Sequence, residues 1–122
     1  MNLQQIFDKT ANHLLKQGMK SVLEDNDTCA YRGQDGAMCA VGCLINDDVY
    51  SWNLEGTAID DCPRVQKALR NSGIEFDTDG QVMRLLIRLQ GIHDQKEESD
   101  WATSLRALAN ELGLKFDMRG IL

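Results

Sequence analysis

The stretch "CAYRGQDGAMCAVGCLINDDVYSWNLEG", Cys29 to Gly56, decides the fold, because the sequence around it reads as ordinary helix. It holds three of the chain's four cysteines, four of its ten glycines and both tyrosines. Asp35-Gly36 is a turn signal, and two arrangements compete around it. In one, a short hairpin pairs the residues near Tyr31 with those near Met38. In the other, Tyr31 and Arg32 lie in an extended arm, and Asp35 caps a short helix over 36–46. The second is favoured: Ala37, Ala40, Val41 and Leu44 share a helical apolar face, and Asn46 suits the left-handed conformation that ends a helix. Built from Ala, Gly and Cys, such a helix has little bulk. Its neighbours can approach closely, which puts residues 37–44 at the centre of the fold.

Working outward, Asn2 and Gln5 form a capping box for a first helix. Leu3, Ile6, Phe7, Ala11, Leu14 and Leu15 are its apolar stripe, and Gly18 stops it. His13 falls off the stripe and is expected to face solvent. "LEDNDT", residues 23–28, is a polar loop. Downstream, Asp61-Cys62-Pro63 opens a helix with Val65, Ala68 and Leu69 inward, Pro being tolerated in a first turn. Asp79 or Thr78 starts the strongest helix, with Val82, Leu85, Leu86, Leu89 and Ile92 inward. Ser99 caps the last, whose stripe is Trp101, Leu105, Leu108, Ala109 and Leu112. "ALRNSGIEFD" and "ALANELGLKFD" echo one another as helix, glycine, aliphatic residue, Phe and Asp. They read as two similar helix exits, too brief for a repeat architecture. The alternation in "LKFDM" allows a short strand.

At 122 residues the chain has room for one domain, and 43% hydrophobic with 26% charged residues is the composition of a globular protein. The formal net charge of −6 opposes binding to phosphate backbones, and Arg84 with Arg88 is too small a basic patch to reverse that. No stretch has the roughly 18 apolar residues of a membrane span. "MNLQQIFDKTANHLL" lacks the basic start and apolar run of a signal peptide. Four cysteines without such a signal point to reduced thiols and a cytoplasmic setting.

Chemistry has three candidate seats. Only Cys39 and Cys43 are close enough in sequence for a shared metal. A zinc-stabilised domain would need them with Cys29 and either Cys62 or His93, and without a second tight pair no metal or cofactor is expected. A cysteine nucleophile would be Cys39, near a helix start, with His93 as base and Asp94 or Asp100 as orienting acid. That order matches papain-like hydrolases, but their local cysteine signature is absent. "DTDGQ" and "NDDVYSWNLEG" lack the ligand spacing of a calcium loop, and phosphate-loop, dinucleotide and serine-hydrolase motifs do not occur. Recognition has a richer set: Tyr31, Arg32, Tyr50 and Trp52 are of types enriched at interaction hot spots, and Glu55 is an acid with which Arg32 could pair.

"YRGQDGAMCAVGCLINDDVYSWNLEG", with the later "LQGIHD", resembles a set of small bacteriophage and prophage proteins. Their pattern is similar to Y-R-G-x-x-G-x-x-C-A-V-G-C-L-I-x-D-x-x-Y, then E-G, then I-H-D. The resemblance spans residues 1–115 and implies a phage context and expression in a bacterial host cytoplasm, without carrying an activity. The resulting expectation is a mainly α fold, a bundle of four to five helices around a small-residue central helix with room for a short two-stranded β element. The expected role is a non-enzymatic accessory protein that binds a host protein, such as one of a defence system, through Tyr31, Arg32, Tyr50, Trp52 and Glu55. No nucleic acid or membrane is expected as a partner, and the oligomeric state stays open. A small cysteine hydrolase or transferase using Cys39, His93 and Asp94 is the alternative, and a zinc-stabilised domain the third reading.

Overall fold

Residues 1–25 and 28–117 are described by the computed structural model. Asn26 and Asp27 of the polar loop, and Met118 of the alternating "LKFDM", lie outside them. The first helix, α1, runs Leu3–Gln17. Its capping box is present: Asn2 Oδ1 accepts the Gln5 N–H at 2.8 Å, and Gln5 Oε1 accepts the Asn2 N–H at 2.9 Å. Ile6, Phe7, Ala11 and Leu14 are buried, as the stripe requires. His13 is half-buried rather than solvent-facing, because its Nε2 donates to the Met38 carbonyl at 2.8 Å.

Three further helices follow among the described residues: α2 (Pro63–Asn71), α3 (Gln81–Gln95) and α4 (Trp101–Leu112). α3 packs against both α1 and α4, and α4 against α1. Their inner faces are those of the sequence stripes, except that Leu112 is exposed. The caps differ from expectation. Asp77, not Thr78 or Asp79, serves α3 from upstream, its two carboxylate oxygens accepting the N–H groups of Gln81 and Val82 at 3.1 and 3.0 Å. Ser99 does not cap α4; it lies in a tight turn over Glu98–Asp100. The echoed exits share one geometry: Ile74 N–H donates to the Leu69 carbonyl at 3.0 Å, and Leu114 N–H to the Ala109 carbonyl at 2.8 Å. Each is the six-to-one bond of a glycine-terminated helix. Residues 114–117 form no strand; Lys115 is held instead by reciprocal bonds with the Gln4 side chain at 2.9 Å.

Residues 37–44 are buried at the centre of the fold, but they are not the expected helix. Ala37 is extended, Met38 bridges antiparallel to Arg32, and only Gly42–Leu44 makes a single tight 3-10 turn. A helix here would need the Val41 N–H to reach the Ala37 carbonyl. Both groups are engaged elsewhere: Ala37 O accepts from Gly33 N–H at 2.8 Å, and Val41 N–H donates to Gln90 Oε1 at 2.9 Å. The steric argument for small residues holds in this other geometry. A Cβ on Gly42 would lie 2.0 Å from the Tyr31 carbonyl oxygen, so the two chain segments cross in direct backbone contact. No helix among the described residues is long and apolar enough to cross a membrane.

Candidate functional site

The residues expected to serve recognition gather around Glu55. One of its carboxylate oxygens accepts the Tyr31 N–H at 2.8 Å; the other accepts the Arg32 N–H at 3.0 Å and the Tyr50 hydroxyl at 2.5 Å. Arg32 therefore meets Glu55 through its backbone. Its guanidinium turns away, to Asp47 at 2.8 Å and the Ile45 carbonyl at 2.6 Å, and lies 5.0 Å from the centre of the Tyr50 ring. Burial and then the Glu55 hydrogen bond push the Tyr50 phenol up to about 12, so it stays a donor to the carboxylate. Tyr31 is only 7% exposed, and its hydroxyl donates to the Thr57 carbonyl. Four of these five candidates thus brace a loop from within. The fifth, Trp52, stands free at 81% exposure in the turn Trp52–Leu54 that this bracing holds.

The second constellation lies at the end of α3. His93 is fully buried and uses both ring nitrogens: Nε2 accepts the Ser21 N–H at 2.9 Å, and Nδ1–H donates to Asp94 Oδ1 at 2.7 Å. A backbone amide can only donate, which assigns the ring proton to Nδ1. Gln90 reaches the same Asp94 oxygen with Nε2 at 2.8 Å while its Oε1 holds Val41. Burial works against ionisation of Asp94, but the bonds from His93, Gln90 and the Cys29 thiol outweigh it and keep the carboxyl below its ordinary value. Ser21 completes the clamp, its hydroxyl donating to the Ala30 carbonyl at 2.7 Å.

This arrangement leaves His93 no nitrogen with which to take a proton from Cys39. The Cys39 thiol is buried, accepts the Gly42 N–H at 3.3 Å, and is pushed far up by desolvation. A thiol in that state is a packing group rather than a nucleophile. Burial likewise raises Cys43, to about 11. Cys29, His93 and Asp94 each place a potential metal-ligating atom within 4.8 Å of the others. A cation at Nδ1 would displace its proton and put the ring's remaining hydrogen at Nε2, against the Ser21 N–H. The donor set therefore fits the hydrogen-bonded clamp and not a metal.

Sequence reasoning missed Gln90 and Ser21, whose signals are weak: Gln90 stands four residues before Asp94 on one helix face, and nothing local marks Ser21. Cys62, offered by the sequence as a zinc ligand and as part of a helix start, occupies the cap position of α2 before Pro63. The Thr57 hydroxyl, followed by the N–H groups of Val65 and Arg64, holds that thiol below its usual value.

Between the second half of α3 and residues 55–60 runs a cleft of about 370 Å³, floored by Cys29, Tyr31 and Cys39. Glu55 and Asp94, one from each constellation, stand on its walls. No protein-family model, curated protein or solved structure matches this chain.

Proposed function

We propose that this chain is a phage-encoded accessory protein that acts by binding a basic host protein in the bacterial cytoplasm, and not by catalysis. The observation that carries this reading is Trp52, a large ring 81% exposed on a loop that Glu55, Arg32 and Tyr50 hold rigid. A loop backbone already held in place loses little conformational freedom when a partner covers the exposed ring it carries, which is the character of an interface anchor. The flanking charge is net negative: Asp48 is exposed beside the Arg32–Asp47 pair, and the whole chain carries −6. Such a rim steers basic surfaces toward Trp52 and repels nucleic acid. The resemblance to small phage proteins supplies the setting, and the engaged nitrogens of His93 argue against the hydrolase alternative.

The test is affinity capture from a bacterial lysate with the wild-type chain and with Trp52→Ala. Because Trp52 is largely exposed, the variant is expected to keep its thermal midpoint while losing the captured protein. Recovery of the same partner by both forms would defeat the reading.

A further inference from the structure

We infer that the cleft between α3 and residues 55–60 is a binding site for an amine or guanidinium carried on a short aliphatic stem. Its size suits a small ligand: about 370 Å³, against the roughly 300–1,000 Å³ of known small-molecule sites. Its charge has one sign, since Glu55, Asp60 and Asp94 line it and no Lys, Arg or His does. Asp94 is the carboxylate best placed to meet a cation. Its side chain is 35% exposed, and the clamp from His93 and Gln90 fixes its orientation. Glu55 faces the cleft with its own charge already answered by two backbone amides and a phenol, so it shapes the wall more than it attracts. Ile59 and Ile87, on opposite sides, offer apolar surface to a stem.

The independent sign of an occupant is Gly91. It sits in the interior of α3, where glycine costs about 1 kcal/mol relative to alanine. Elsewhere the fold explains such a residue, as at Gly42, where a side chain would strike backbone. At Gly91 an added Cβ would meet nothing within 4 Å, so no group among the described residues requires the glycine. What the missing side chain provides is bare helix backbone along the cleft, open to close approach by something from outside. A cation entering there would bring its head to Asp94 and lay its stem across Gly91 between the two isoleucines. The inference does not depend on Trp52, which is not part of the cleft.

Two sources share this chemistry, a free alkylamine and a basic side chain of a peptide, and the experiment separates them. Agmatine is titrated into methyl-labelled protein while the Ile59 and Ile87 signals are followed, with pentanol and glutarate as neutral and anionic controls. The expected result is saturable shifts with agmatine, with a dissociation constant on the order of millimolar, and none with the controls. Added salt weakens the binding, because an exposed ion contributes to it. Gly91→Leu sends a side chain into the cleft from a position where its Cβ meets no neighbour, and Asp94→Asn removes the charge while keeping an oxygen for His93 and Gln90. Each is expected to weaken agmatine by about tenfold or more, with Gly91→Leu melting no lower than wild type; Trp52→Ala leaves the titration unchanged. A blocked tripeptide, glycyl-arginyl-glycine amide, tighter than agmatine assigns the source to a protein side chain, and a weaker one to a free amine. Absence of agmatine shifts, equal shifts with glutarate, or an unaltered titration in Gly91→Leu would each overturn the assignment.

Discussion

In the helices, backbone amides are answered by carbonyls four residues back, and what makes the fold specific is the apolar stripe each helix turns inward. Between Ser21 and Cys62 turns meet part of the same need, and several amides are met by side chains from far away. Glu55 answers Tyr31 and Arg32; Gln90 answers Val41 from 49 positions away; His93 answers Ser21 from 72. Both regions bury apolar residues at the centre of the molecule. The difference lies in what can be exchanged. A helix supplies its own backbone partners, so its inward residues need only be apolar and of the right size. Irregular buried backbone has only a partial internal supply, and the amides its turns leave over each depend on one named group elsewhere.

The sharpest way to break this comparison is Gly42→Ala. A single methyl would be driven to within 2.0 Å of the Tyr31 carbonyl oxygen, and relieving the clash means moving backbone rather than a side-chain end. A loss of about 3 kcal/mol or more is expected in urea unfolding; a loss under 1 kcal/mol would mean the crossing is looser than described. Next comes Glu55→Ala, which strands two amides and the Tyr50 hydroxyl at once. In a half-buried setting that should cost about 2–3 kcal/mol. The helical region should be more forgiving. Leu86→Met, at a fully buried position of α3, is expected to cost less than about 1.5 kcal/mol by the same measurement. The smallest effect reverses sign: Gly91→Ala should raise stability by about 0.5–1 kcal/mol, since the new methyl meets no neighbour and the helix gains a better former. If Gly91→Ala proved destabilising, the glycine would have a structural reason and the cleft would lose its main support.

What was legible in the sequence divides along the same line. The capping box at Asn2 and Gln5, the stripe of α1 and the paired exits after α2 and α4 are local patterns, and each forms as read. The burial of residues 37–44 was also legible, because small residues in a row imply close approach. Their helical form was not, since the competing partners of Val41 and Ala37, Gln90 and Gly33, belong to a pairing that no local window contains. Around the site, the acid facing Arg32 was anticipated in Glu55, yet the bond runs to the Arg32 amide while the guanidinium takes Asp47. Tyr31 and Trp52 looked alike as candidate anchors. One is enclosed and the other exposed, because only Tyr31 passes beneath the 42–44 turn. His93 stood out as a candidate base; that it serves the Ser21 amide depends on a loop whose position is set by Ala30 and Ala37.

The bond from the Ser21 amide to His93 reaches beyond packing. Ser21 lies outside any helix, yet its N–H is sealed from water by a ring anchored in α3. Solvent deuterium can reach that amide only when the far end of α3 releases it. Its exchange should therefore run at the slow pace of the helical core and not of the loop around it, tying the opening of residues 19–23 to the integrity of the opposite half of the chain.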